Sequence, residues 1–250
     1  MKCDSRKFVA LAGGLVLAAG VALAGSHDGA QKPAADMKPM PQKMQQMQQK
    51  AQPGEGAAAQ SGAADDARTF VELPQPQRDT FLKLMRGFME SLDDINAALA
   101  EGNFREVARI AKEDMGPAHE VMAVLRKAKV PEEKVAEVVK QARAAMEEVV
   151  KKGEGRPMIG RIVMQTLGPD VPPAFMQWKQ EHIRTGGLGR FLPPAMHVMG
   201  IQLHLNAAKL ADIAAQTEKP TAENYKKVMG ALSEVTGQCR ACHAAWKVIK

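Results

Sequence analysis

The sequence predicts an all-α fold for residues 69–250. Three observations point there. Four segments repeat apolar residues at alternating steps of three and four, the spacing of one helix face. Runs of β-branched and aromatic residues in two-residue alternation are missing, so strands have little support. Proline, asparagine or threonine stands where these segments begin, and Gly102 stands where the first should stop. Nothing repeats at a fixed longer period, which argues against a solenoid.

Ahead of this region the chain has a different character. Lys2, Arg6 and Lys7 precede an uncharged apolar run, Phe8 to Ala24, that closes on Ala22-Leu23-Ala24. That is the pattern of an export signal with an A-x-A cleavage site, so residues 1–24 read as a signal peptide and Gly25 as the mature start. The run sits at the low end of the roughly 17–25 residues that a spanning helix needs, and its Ala and Gly content makes it weakly apolar. Residues 25–68 are rich in Gln, Ala, Pro and Gly and hold few branched or aromatic side chains. Such a segment buries too little apolar surface to offset its ordering entropy, so it reads as a disordered linker. Met37, Met40, Met44 and Met47 lie close together in it. Thioethers are soft ligands of the kind that bind Cu(I), but a polar tether with incidental methionines is the plainer reading.

The elements follow in order. The first helix comes after LPQPQ. Leu82, Met85, Met89, Leu92 and Leu99 mark its stripe, Asn96 fills the missing step, and Phe81, Phe88 and Ile95 widen it. Asn103 caps the second helix, which Pro117 bends or breaks before AHEVMAVLRKA continues. PEEKVAEVVKQARAAMEEVVKKG reads as one amphipathic helix over 131–152. Gly and Pro then divide the chain up to 192 into short helices and loops. The third periodic helix follows Pro193-Pro194 and places Met196, Met199, Leu203, Ala207, Leu210 and Ala214 on one face. The fourth starts near Thr221 and is expected to run to the C-terminus. Its seam is Tyr225, Val228, Leu232, Val235, Cys239, Cys242, Trp246 and Ile249.

Charge narrows the partners. The chain carries 34 Lys+Arg against 28 Asp+Glu, a formal net charge of +6. Both signs are interspersed, and no basic run is interleaved with aromatics, which argues against nucleic acid as the main partner. A mildly positive surface suits an acidic protein partner, although mixed charge is usually a solvated face.

Of the three cysteines, Cys3 precedes the apolar run and is lost with the signal peptide or stays on its near side. Cys239 and Cys242 alone remain, so the mature protein has no disulfide framework. They stand in GQCRACHAAWKVIK, as C-x-x-C-H. This is the signature of covalent c-type haem attachment. Two thiols at i and i+3 can add to the two vinyl groups of one porphyrin edge, and the adjacent His243 then lies beneath the iron. On a helix, Cys239, Cys242 and His243 span an arc of about 100°, so all three are expected to face the packing partner. Three other chemistries use related patterns. A thioredoxin-like dithiol expects a βαβ context that is missing here. A zinc site needs a fourth ligand from His119, His182, His197 or His204, whose spacing forms no recognised pattern. A purely structural dithiol is the plainest of the three.

CRACHAAWK, close to the chain end and carrying an aromatic and a basic residue after the motif, resembles the cytochrome c′ family. RDTFLKLM, residues 78–85, is similar to that family's first-helix pattern. The resemblance covers residues 74–115 and 193–250. An insert of about 118–192 and the linker depart from it. It implies an antiparallel four-helix bundle with the helical insert between the second and third bundle helices. It also implies one covalently attached haem c, with Cys239 and Cys242 as thioether carriers and His243 as proximal iron ligand. Arg78 would lie near a haem propionate, and Lys247 likewise. Leu82 falls where the family places its distal residue, and Met85, one turn on, is a candidate distal ligand. The alternative for Met85, and for Met89 beyond it, is core packing. His204 is a further distal candidate at the edge of its helix face. Gly237, in mid-helix, costs about 1 kcal/mol against Ala and would let a haem plane approach, or is neutral.

The expected function is therefore that of an exported, periplasmic, monohaem c-type cytochrome performing one-electron transfer with an unidentified redox partner protein. No nucleophile–base–orienter set is legible, so no enzyme is expected. One alternative is a five-coordinate haem protein binding NO or CO behind Leu82. Another is a haem-free metal or dithiol binding module. Stable membrane insertion after signal cleavage is not expected. Members of the family it resembles often form homodimers through their first two helices, so the resemblance implies a possible homodimer, a contact that the insert would have to accommodate.

Overall fold

The computed structural model describes residues 66–184 and 187–248. The signal-peptide reading, the linker up to residue 65 with its methionines, and Ile249 lie outside the described residues. Eight α-helices make up most of the rest, and the all-α expectation holds. They are α1 (Gln75–Ala100), α2 (Phe104–Glu113), α3 (His119–Lys127), α4 (Glu132–Lys152), α5 (Ile159–Leu167), α6 (Pro173–Arg184), α7 (Pro194–Ala215) and α8 (Ala222–Ala245). Among the described residues no helix is long and apolar enough to cross a membrane.

The helix boundaries follow local chemistry. Pro74 and Pro76 open α1, where a missing N–H costs nothing. Gly102, at φ 69°, turns the chain out of it. A Cβ added there would lie 3.0 Å from Pro220 Cβ and 3.1 Å from the Tyr225 hydroxyl, so both backbone and space demand glycine. Asn103 caps α2 by accepting from the Glu106 N–H at 3.2 Å, and Thr221 caps α8 by accepting from the Asn224 N–H at 3.3 Å.

The break after α2 begins before Pro117. The helix already ends at Glu113, and Gly116 folds back so tightly that a Cβ there would meet the Lys112 carbonyl oxygen at 2.5 Å. Ala118 then adopts a left-handed φ of 60° and starts α3 as a separate helix.

Four helices share the largest core. α1 contributes Phe88, Ile95, Ala98 and Leu99; α2 contributes Phe104, Val107, Ile110 and Ala111. α7 supplies Leu203, Ala207, Leu210 and Ala214, and α8 supplies Val228, Ala231, Leu232 and Val235. In packing order α2 touches α1 and α7, and α7 touches α8. The buried face of α1 is rotated from the expected one. Met89 is 65% exposed and Asn96 is exposed, whereas Phe88, Ser91, Ile95 and Ala98 are buried. The apolar side chains at 81, 84, 85, 88, 92 and 95 outweigh the stripe through Met89, and Ser91 joins them because its hydroxyl donates to the Gly87 carbonyl at 3.0 Å.

The insert, α3 to α6, makes a core of its own. Val121, Met122, Leu125, Val135, Val138, Val163 and Phe175 are buried in it. Met146 and Val149 of α4 meet Val198 and Ile201 of α7, so α7 is buried on two sides.

Two short strands were not foreseen. β1 (Thr69–Phe70) pairs in parallel with β2 (Trp246–Lys247), with Thr69 opposite Trp246 and Phe70 opposite Lys247. The Val71 N–H donates to the Lys247 carbonyl at 2.8 Å. α8 therefore ends at Ala245 rather than at the chain end, and Trp246 has extended backbone.

Candidate functional site

The C-x-x-C-H motif occupies the last two turns of α8. The opposite end of that helix is fixed by Tyr225, whose hydroxyl donates to the Leu99 carbonyl at 3.2 Å and whose ring meets Phe104 edge-on at 5.1 Å. Buried Val228, Leu232 and Val235 then carry the seam to the cysteines.

The two thiols meet different apolar surroundings. Cys239 is half-buried and packs against the large four-helix core. Cys242 is half-buried and packs against a second cluster of Val71, Leu73, Met196 and Val248, joined by Phe81, Leu192 and Trp246. β1–β2 pairing brings Val71, Leu73 and Val248 there, so a strap from ahead of α1 lies over the motif.

His243 departs from the expectation that all three motif residues face inward. It is exposed, and no hydrogen bond or ion pair among the described residues engages its ring. The buried arc of α8 runs through Val228, Ala231, Val235 and Gln238. At about 100° per residue this arc centres on the Val235–Cys242 side, which leaves His243 at its rim.

Burial sets the state of the thiols. It pushes the Cys239 thiol up. Burial, and secondarily the neighbouring Cys239, push Cys242 up to about 11. Both are held as thiols at neutral pH, the reverse of the lowered thiol pKa on which an exchanging C-x-x-C dithiol relies. Among the described residues no group of three or more His, Cys, Asp and Glu side chains gathers in metal-ligating arrangement.

The remaining predicted site residues distribute as follows. Met85 is half-buried and packs against the same core as Cys239, and Phe81 joins the Cys242 cluster. The first turns of α1 thus serve both cysteine surroundings. Leu82 is half-buried and belongs to neither cluster. The Arg78 guanidinium donates to the Gln75 side-chain oxygen. Lys247 pairs with Asp66 at 3.4 Å; Asp66 also binds Arg68 at 2.6 Å, and these contacts, Arg68 first, hold its carboxyl far below the usual range. His204 is committed elsewhere. Its Nδ1 donates to the Met115 carbonyl at 2.7 Å, and its ring stacks on His119 and meets Phe88 edge-on. Gly237 has nothing within 4 Å of where a Cβ would stand, so no described neighbour requires glycine there.

No protein-family model matches the chain, and no curated protein or solved structure matches it.

The residues around the motif fit a covalently held porphyrin on three counts. Two thiols lie one turn apart on one helix, each against an apolar wall. An imidazole with no partner among the described residues follows the second thiol. Two buried donors close to the motif in sequence, Gln238 Nε2 and Trp246 Nε1, have no acceptor among the described residues. Buried polar groups are almost always hydrogen-bonded, so two orphans flanking one motif mark a place where an acceptor is expected.

Sequence reasoning missed the strap. The signal was Phe70-Val71-Glu72-Leu73, where Val71 and Leu73 are buried and Glu72 is exposed. That is two-residue alternation, but over a stretch too short to stand out.

Proposed function

We propose that this chain is an exported monohaem c-type cytochrome of the cytochrome c′ kind, working in one-electron transfer. The observation that carries the reading is the pair of half-buried thiols of Cys239 and Cys242 on one helix face, each against its own apolar wall. Cys239 and Cys242 hold the haem through thioether bonds, and His243, whose ring no other described group engages, ligates the iron. When bound, haem supplies the one-electron couple. The protein's own residues do the rest. The strap carrying Val71 and Leu73 and the core beneath Cys239 exclude water and so tune the potential, while the exposed rim around His243 is open to a redox partner. The four helices that share the large core form the antiparallel four-helix bundle in this reading, with α3–α6 as an appended lobe on α7. No enzymatic step is assigned.

Met85 favours electron transfer over gas binding, because it is the one thioether of α1 on the cysteine side of the helix; Met89 points out to solvent. A haem-stained denaturing gel of the protein made with and without a cytochrome c maturation system tests the proposal. Stain that survives denaturation and depends on maturation supports it. An unstained band at full expression refutes it.

A further inference from the structure

Outside the C-x-x-C-H motif, the corner where the insert meets α7 brings two histidines together. His119 opens α3, and His204 stands in the middle of α7. Their rings lie with centroids 5.1 Å apart and planes 30° apart, and Phe88 backs both. Each Nδ1 meets a backbone carbonyl oxygen, of Gly116 at 3.1 Å and of Met115 at 2.7 Å. A carbonyl only accepts, so both Nδ1 atoms carry the proton, and the lone pair of each neutral ring is on Nε2. Burial lowers the pKa of both rings, which keeps them neutral at pH 7. The two carbonyls belong to consecutive residues. Both rings therefore turn the Nδ1 edge toward the 115–116 segment and the Nε2 edge away from it.

No hydrogen bond or ion pair among the described residues engages either Nε2, and neither atom is fully buried without a partner, so both reach solvent. Ligating histidines are held in this way: a carbonyl takes the far N–H, which fixes the tautomer and aims the lone pair. The spacing agrees. Two imidazoles on one tetrahedral ion at about 2.0–2.1 Å have centroids about 5 Å apart, whatever their twist about the metal–nitrogen bonds. We infer that His119 Nε2 and His204 Nε2 together bind one Cu(I) ion, with solvent completing its coordination. Imidazole suits copper and zinc alike, so charge decides between them. Among the described residues no carboxylate or thiol joins the pair in a ligating group, and the adjacent Glu120 faces His182 at 3.6 Å. Two neutral donors leave the charge of the ion uncompensated beside an apolar wall. That cost rises steeply with charge, which favours a monovalent ion over a divalent one.

The test follows the Nε2 ¹⁵N resonances of His119 and His204 in the full chain as Cu(I), kept reduced by ascorbate, is added, with Zn(II) as the comparison. Copper held elsewhere, by free thiols or by methionines, does not report at these two nitrogens. Both resonances are expected to shift together and to saturate together, in the wild type and in the Cys239→Ala, Cys242→Ala double variant. The site thus stands or falls separately from the haem reading. His119→Asn and His204→Asn keep an amide N–H near the Nδ1 position and remove the Nε2 lone pair. Each is expected to weaken Cu(I) binding at the remaining ring by about 100-fold or more, since one of two linked contacts is lost. Wild-type resonances unmoved by Cu(I), a shift of one ring without the other, or single variants that bind as tightly as wild type overturn the inference. Zn(II) bound as tightly as Cu(I) overturns the choice of ion.

Discussion

At the scale of single residues, the geometry around α8 separates roles that sequence spacing left merged. Cys239 and Cys242 differ by one turn yet face different walls, and His243 sits on the rim. Met85 is the residue whose role has the sharpest consequence. It packs against the core that holds Cys239. If its sulfur ligates iron, Met85→Ala converts a low-spin ferric spectrum to high-spin and removes the methionine charge-transfer band. An unchanged spectrum assigns Met85 to packing alone. Met89, 65% exposed, is the internal control, and Met89→Ala leaves the spectrum and stability unchanged. The motif and its order were legible in the sequence because a C-x-x-C-H pattern is defined by residue types at fixed offsets alone. The inclination of His243 was not, since a seam of alternating threes and fours defines an arc only to within one residue's rotation. The unpartnered state of Gln238 and Trp246 was beyond reach too, because satisfaction of a donor depends on every neighbour in three dimensions.

At the scale of elements, α4 and α7 were read almost to their ends, since their apolar period is strong and their flanks carry proline or glycine. α1 was placed correctly in the chain but rotated, because two candidate stripes overlap and only packing against α2 decides between them. Leu210 is fully buried between α7 and its neighbours. Leu210→Ala is expected to cost about 2–5 kcal/mol, read as a lower urea midpoint with an unchanged m-value. The strap gives a more local prediction. Val71 is 4% exposed, and its N–H bonds to the Lys247 carbonyl. Val71→Asp buries an unpaired carboxylate against Cys242 and should detach β1 from β2 while the large core survives. Faster modification of Cys242 by a thiol reagent in the unloaded chain, with helical circular dichroism retained, is the expected outcome. Equal reactivity in wild type and variant would show that the strap does not cover the thiol.

At the scale of the whole molecule, the insert meets the large core at a corner built from histidines. His119 and His204 stack with ring centroids 5.1 Å apart, Phe88 lies against both, and each Nδ1 donates to a backbone carbonyl, of Gly116 and Met115 respectively. Glu120, His197 and His119 are the charged or titratable groups acting on His204. Burial first, then His119, depress His204 from 6.5 to about 4, and burial also lowers His119. Above pH 6.5 the His204 ring is neutral in folded and unfolded chains alike. As pH falls below 6.5 the unfolded chain takes up the proton first, so stability declines until about pH 4, by roughly 3 kcal/mol. Urea midpoints across that window should fall with pH in the wild type and fall less in His204→Gln. Apolar periodicity and the residues at the helix ends predicted a helical domain, but the division of core between bundle helices and insert could not be read from them, because both lobes use the same apolar residue types. Covalent haem is read directly from the mass of the peptide spanning Cys239 to His243 in protein matured in an exporting host. One haem is expected on that peptide and none on that of the Cys239→Ala, Cys242→Ala double variant. An unmodified wild-type peptide from fully matured protein would contradict it.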